Sequence, residues 1–244
     1  MRNIKLTLEY DGTDFFGFQI QKNRRTVQEE LETALKKLFH LKIKIAAAGR
    51  TDSGVHAEGQ VVNFKVDSKL ELPKIQFGLN HYLPRDVAVC EIEKVPASFH
   101  AQYSAKRKIY EYRIFNSKSR SPLERFRSFY FPHPLRLNKM KRAARLLSGR
   151  HDFRAFEASG GRRKSAVRTL RKFEVKREGK IICLTIEGDG FLYKMVRNMA
   201  GTLLAVGSGK MKWPDFEQVL KSKNREFAGP TAPSEGLTLK RVIY

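Results

Sequence analysis

The period of apolar residues along this chain changes in a fixed order, and that order leaves few folds open. Ile4, Leu6, Leu8 and Tyr10 alternate with Lys5, Thr7, Glu9 and Asp11, the pattern of a half-buried strand. Asp11-Gly12 follows as a turn signal. Thr26-Val27-Gln28-Glu29 has the form of a capping box. Behind it Val27, Leu31, Ala34, Leu35 and Leu38 fall at helical spacing. Next come a predicted strand over Ile43 to Ala48, a Gly-containing loop from Gly49 to Gly59 and a strand over Gln60 to Val66. A short helix after Pro73 and a strand over Val87 to Val95 close the set. Its order is β-α-β-β-α-β.

The order then recurs. Tyr110, Tyr112 and Ile114 alternate in a strand, and Asn138 is placed to cap a helix carrying Ala143, Ala144 and Leu147, stopped by Gly149. Val167 to Val175 and Ile181 to Ile186 read as a hairpin turning at Glu178-Gly179. Leu192, Met195, Val196, Met199, Ala200, Leu203 and Leu204 make the most apolar helix. A short helix opens with Pro214 in its first turn, and Leu237 to Ile243 is a last strand. The expectation is an α+β fold of two ferredoxin-like β-α-β-β-α-β units, forming a mixed, mostly antiparallel sheet with helices on one face. Residues 1–104 make the N-terminal unit and residues 105–244 the strongly basic C-terminal one. The duplication is one of element order, without a residue-level repeat.

Charge narrows the partner. The chain carries 48 Lys+Arg against 25 Asp+Glu, a net of +23. Residues 101–180 hold 24 of those bases and only 6 of the acids. A solvated face mixes both signs, whereas this third of the chain attracts polyanions. Its bases are spread over elements of several types and not along one amphipathic helix, which favours a nucleic-acid backbone over a membrane surface. Two loops stand out, Asn116 to Pro134 and Ala158 to Ser165. The second carries Arg162, Arg163 and Lys164 and reads either as a solvated hairpin loop or as an arm that closes on phosphates. Two cysteines, Cys90 and Cys183, make no disulfide framework and fit a reducing cytoplasm. No apolar run is long enough to span a membrane, and no signal peptide is visible.

Several chemistries lack their parts. His56-Ala57-Glu58 has half of a zinc-deaminase signature without the P-C-x-x-C half. Gly207-Ser208-Gly209-Lys210 has Leu204 and Met211 where a phosphate loop needs Gly and Ser or Thr. Gly188-Asp189-Gly190 lacks the rest of a dinucleotide fingerprint. Neither a metal nor a cofactor is indicated. The most unusual stretch is Ala46 to Ala57, where small residues run into Gly49-Arg50-Thr51-Asp52-Ser53-Gly54. An acid in a protein built to hold phosphates weakens binding by repulsion, so Asp52 wants a reason. A structural turn supplies one, since Asp-Ser-Gly is good turn chemistry. A catalytic carboxylate supplies another.

Gly49-Arg50-Thr51-Asp52-Ser53-Gly54-Val55-His56-Ala57 resembles the signature of the TruA family, the tRNA pseudouridine synthases of the anticodon arm. Tyr10-Asp11-Gly12-Thr13 with Gly17 and Gln19 is similar to the family's opening. Leu79-Asn80 with Leu83-Pro84 fits as well, as do Phe99-His100-Ala101 with Tyr103-Ser104-Ala105 and Tyr110-Glu111-Tyr112. His151-Asp152-Phe153, Phe191 to Met199, and Ala232-Pro233 with Gly236-Leu237 extend the likeness over almost the whole chain. It departs at Phe18, where the family carries Trp, and at Gln102, where it carries Arg.

The resemblance implies an isomerase that flips uridines 38, 39 and 40 of the anticodon stem-loop out of the stack and rejoins each base through C5, with no cofactor and no metal. It makes Asp52, Tyr110 and Arg197 the catalytic set. Asp52 is the carboxylate, and Arg197 is the cation that favours its charged form. Tyr110 stacks on the uracil and offers its hydroxyl to the C5 proton. Whether Asp52 attacks C1′, adds to C6 or abstracts the C2′ proton stays open. Arg50 resembles the wedge that fills the vacated stack, against the alternative of a loop salt bridge. Phe191 and Leu192 would wall the uracil from water. Lys106, Arg107, Lys108, Arg162, Arg163 and Lys164 would meet phosphates. The partner implied is tRNA, bound by a homodimer. Two other classes remain at this stage: a non-catalytic basic RNA-binding protein, and a carboxylate nuclease, which needs more acids than the basic third offers.

Overall fold

The N-terminal alternation folds as β1 (Arg2–Tyr10), with Ile4, Leu6, Leu8 and Tyr10 buried. A computed structural model of the chain describes residues 1–160 and 165–244. After β1 come α1 (Val27–Phe39), β2 (Ala46–Ala47), β3 (His56–Val66), α2 (Leu72–Tyr82) and β4 (Val87–Val95). Then follow β5 (Arg107–Phe115), β6 (Phe129–Tyr130), α3 (Leu137–Leu147), β7 (Gly149–Asp152), β8 (Val167–Glu178) and β9 (Ile181–Gly188). The chain ends with α4 (Met195–Ser208), α5 (Trp213–Ser222) and β10 (Leu237–Ile243). The architecture is α+β. Contacts divide it into one unit of Met1–Lys106 with Thr238–Tyr244, and a second of Arg107–Leu237. Among the described residues no helix is long and apolar enough to cross a membrane.

In the first unit β1 lies between β4 and β3, antiparallel to both. Thr26 caps α1 by accepting the Glu29 amide, and Val27, Leu31, Ala34 and Leu35 turn inward. Segment 96–101 is tied to the sheet by buried amides: Asn3 Nδ2 donates to Pro96 O and Phe99 O, and Asn63 Oδ1 accepts from Ala101 N. In the second unit the order is β5-β9-β8-β7, antiparallel throughout, with β6 parallel beside β5.

The sequence reading differs from this fold at several points, beginning with the short β6 and β7, which it does not contain. The strand expected over Ile43 to Ala48 is only Ala46–Ala47, because the Glu32 carboxylate of α1 takes the Ile45 amide. Strand β3 begins at His56 and not at Gln60, since Tyr10 pairs with Ala57 past a bulge at Glu58-Gly59 of β3. Arg136, and not Asn138, precedes α3; its amide is held by Gly207 O and its carbonyl starts the helix. The last strand, expected to close residues 105–244, instead pairs parallel to β3 in the first unit, Thr238 with His56 and Leu239 with Ala57. Gly59 permits it, because a Cβ there would lie 2.5 Å from the Lys240 carbonyl oxygen.

Candidate active site

Asp52 sits in the short loop between β2 and β3, and the turn after β1 grips that loop along its backbone. Phe18 N donates to Thr51 O at 3.1 Å. On the other side of Asp52, Gly54 N (3.2 Å) and Ser53 Oγ (3.1 Å) both donate to Phe15 O. Gly17, at φ +90, fits between them; a Cβ there would stand 2.8 Å from Thr51 O and 3.2 Å from Ser53 N. Val55 N closes the turn on Asp52 O. Buried His56 adds a further tie, its Nδ1 accepting from Gly12 N at 3.0 Å. Its Nδ1 also lies 3.2 Å from Asp11 Oδ1, and its Nε2 has no hydrogen-bond partner among the described residues. Asp52 is half-buried and Arg50 exposed, and Arg50 makes no ion pair among the described residues.

Beneath the loop, Tyr10 Oη and Thr51 Oγ1 are 2.7 Å apart. Burial pushes the Tyr10 phenol from 10.0 up to about 12, against the opposing pull of hydrogen bonds with Thr51 and Gln60. The folded chain therefore keeps this proton where the unfolded chain releases it, so the associated stability is intact below pH 10 and lost as pH rises toward 12. Tyr10→Phe is expected to remove about 1.4 kcal/mol of alkaline destabilisation for each pH unit in that window. Urea unfolding on either side of pH 10 checks it; identical slopes in the two proteins would place the loss elsewhere.

The other candidate side chains belong to the second unit. Tyr110 lies on β5 opposite Ile186 of β9, nearly buried, with the Phe191 ring edge-on to it at 5.0 Å. Tyr112 is fully buried one pleat further along the same face and donates to Pro233 O at 2.8 Å; burial pushes its phenol well above the usual range. The Arg197 charge acts in the opposite direction on that phenol. Arg197 stands in the first turn of α4. Its Nε donates to Ala232 O at 2.8 Å while its carbonyl accepts from Ala232 N. Lys194, in a left-handed conformation, starts that helix three residues later than the apolar pattern suggests, and Leu192 is buried just before it.

The hub that steadies α4 was not visible in the sequence. Asn198 donates to Phe156 O and accepts from Thr231 Oγ1 and Arg225, while Thr202 Oγ1 accepts from Gly229 N. These partners lie up to 42 residues apart. The basic residues separate as well. Lys106 is exposed, with its amide on Ile243 O. Arg107 pairs with Glu187 at 2.6 Å, so a phosphate must compete with that carboxylate. Lys108 is half-buried. Arg162, Arg163 and Lys164 lie outside the described residues. Among the described residues no group of three or more His, Cys, Asp or Glu is placed to hold a metal ion.

The residue pattern of the family described as tRNA pseudouridine synthase matches residues 7–104 and 143–244. The chain is 46% identical over 244 residues to tRNA pseudouridine synthase A of Acetivibrio thermocellus, covering 100% of both chains. It is 46% identical over 247 residues to the protein of that name from Lactococcus lactis subsp. lactis, covering 100% of this chain and 98% of the relative. With the one from Streptococcus pyogenes the identity is 44% over 247 residues, covering 100% and 99%.

Proposed function

The chain belongs to the tRNA pseudouridine synthase family, and on that premise we propose that it isomerises uridines 38, 39 and 40 of the tRNA anticodon stem-loop with Asp52 as its carboxylate. The glycosidic bond from C1′ to N1 breaks, the detached uracil turns, and a bond from C1′ to C5 replaces it. The C5 proton leaves and N1 gains one, so substrate and product are isomers. Extrusion of the uridine costs a few kcal/mol of stacking. Arg50 offsets that cost by filling the gap with a cationic plane. Arg197 is the cationic member of the catalytic set. Tyr110 stacks on the uracil, and its hydroxyl takes up the C5 proton as it passes its own to solvent, while Phe191 and Leu192 wall the rest of the base from water. Lys106, Arg107 and Lys108, with Arg162, Arg163 and Lys164, meet the phosphates. Two copies of the chain bind one tRNA in the cytoplasm; sedimentation as a monomer would remove the dimer from this reading.

The observation that carries the proposal is the grip on Asp52. Thr51 on one side and Ser53 and Gly54 on the other are bound to the Phe15–Phe18 segment, beside an exposed arginine without a carboxylate partner among the described residues. A loop that only turns the chain has no need of that fixation. The test is tritium release from transcribed tRNA labelled at uridine C5, followed by mapping of the product. The expected result is release matched by pseudouridine at the three anticodon-arm positions. Product elsewhere in the tRNA overturns the positions, and absence of release from any transcript overturns the assignment.

A further inference from the structure

The turn after β1 presents the same pair of residue types twice, with opposite electrostatics. Arg25 lies over the Phe15 ring at 4.2 Å, and this pair is closed off. Phe15 is buried, and Arg25 is bound by both Asp86 oxygens at 2.7 and 2.9 Å and by Glu30 at 2.8 Å. Arg24 lies over the Phe16 ring at 4.4 Å, and this pair is open. Phe16 is 42% exposed, and Arg24 has no carboxylate partner among the described residues. The open pair is nonetheless held in place. Phe16 N donates to Arg25 O at 2.9 Å, Gln21 Nε2 donates to Phe16 O at 2.5 Å, and Gln21 and Arg24 form a bridge. Ile20 beside it is 45% exposed.

Position gives the pair its meaning. Phe16 lies between Phe15, whose carbonyl binds Ser53 and Gly54, and Gly17, which packs against the backbone of Thr51 to Ser53. The stack is therefore fixed to the turn that carries Asp52. A guanidinium plane backed by an aromatic ring is a surface on which a nucleobase stacks, and its charge also suits the adjoining phosphate. We propose that Phe16 and Arg24 form a stacking platform for an RNA base flanking the uridine at Asp52, a contact that keeps the strand in register while that uridine is extruded. The proposal rests on the isomerase reading for the identity of the RNA, but its test does not require turnover.

The test measures dissociation constants for an anticodon-arm transcript with four variants. Arg24→Ala is expected to weaken binding roughly tenfold. Arg24→Lys keeps the charge and loses the plane, and is expected to weaken it roughly fivefold with the salt dependence unchanged. Phe16→Leu keeps apolar bulk without the ring and should resemble Arg24→Lys, whereas Phe16→Tyr should bind like the parent. The Arg24→Lys loss should vanish on a transcript made abasic on one side of the target uridine. Lysine matching arginine, or leucine matching phenylalanine, would reduce the site to a plain phosphate contact or a packing residue and overturn the platform. A loss that persists on both abasic transcripts overturns its placement. Tritium release by the parent protein in the same samples reports on the isomerase reading separately.

Discussion

Asp52→Asn is expected to lower pseudouridine formation by roughly four orders of magnitude while tRNA binding stays the same or tightens slightly. Asparagine matches aspartate in shape and is equally at home in a turn. The turn is closed by the Asp52 carbonyl and clamped through Thr51, Ser53 and Gly54, none of which depends on the carboxylate. What the substitution removes is one negative charge and the capacity to act as base or nucleophile. A carboxylate in a field of +23 repels phosphate, so its loss cannot weaken a purely electrostatic association. Activity and affinity should therefore separate. Single-turnover tritium release reads the first and filter binding the second. Unimpaired turnover would refute a catalytic carboxylate at this position. Parallel loss of binding and thermal stability would show that the side chain holds the loop together.

That separation also decides between the isomerase and a basic protein that merely holds RNA. A binder has no use for the carboxylate, and its affinity should rise on the loss of Asp52 with no chemistry forfeited. A nuclease would reveal itself by cleaved transcript. Each alternative leaves a different product in the same tube: isomerised tRNA, intact unmodified tRNA, or fragments.

Local patterns carried much of the fold because burial on one face writes directly into residue spacing. Val87–Val95 and Leu237–Ile243 form strands over the span that alternation suggested, and Thr26 caps α1 as its spacing implied. Pairing partners are another matter. Alternation makes Leu237–Ile243 a strand, but its place beside β3 depends on the bare backbone of Gly59, about 180 residues away in the chain. The same holds at the candidate site. Gly-Arg-Thr-Asp-Ser-Gly marked the loop as unusual, yet nothing local revealed that Phe15 to Phe18 would clamp it. Charge counting suffers similarly: Arg107 counts as one more cation until Glu187, on a neighbouring strand, takes its guanidinium.

Gly201→Ala pits two effects against each other, and their magnitudes decide the sign. Gly201 is in the interior of α4, where alanine normally stabilises a helix by about 1 kcal/mol. A Cβ at this position, however, would overlap the Pro230 carbonyl oxygen and stand 2.9 Å from its carbon and 3.2 Å from Ala232 N. The obstruction is backbone, which cannot rotate aside. Segment 229–232 must move, and it carries the Gly229–Thr202 bond, the Thr231–Asn198 bond and both Ala232 bonds to Arg197. Each is worth about 1 kcal/mol net, and overpacking adds a further 1–3 kcal/mol or so. The balance is a destabilisation of about 3 kcal/mol, which lowers the thermal midpoint by roughly 6–12 °C for a chain of this size. Activity should fall further than stability explains when assayed well below the midpoint, because Ala232 orients the Arg197 guanidinium. A raised midpoint would mean that helix propensity prevails and that the α4 contact is slack. A lowered midpoint with full activity would separate Arg197 from the reaction.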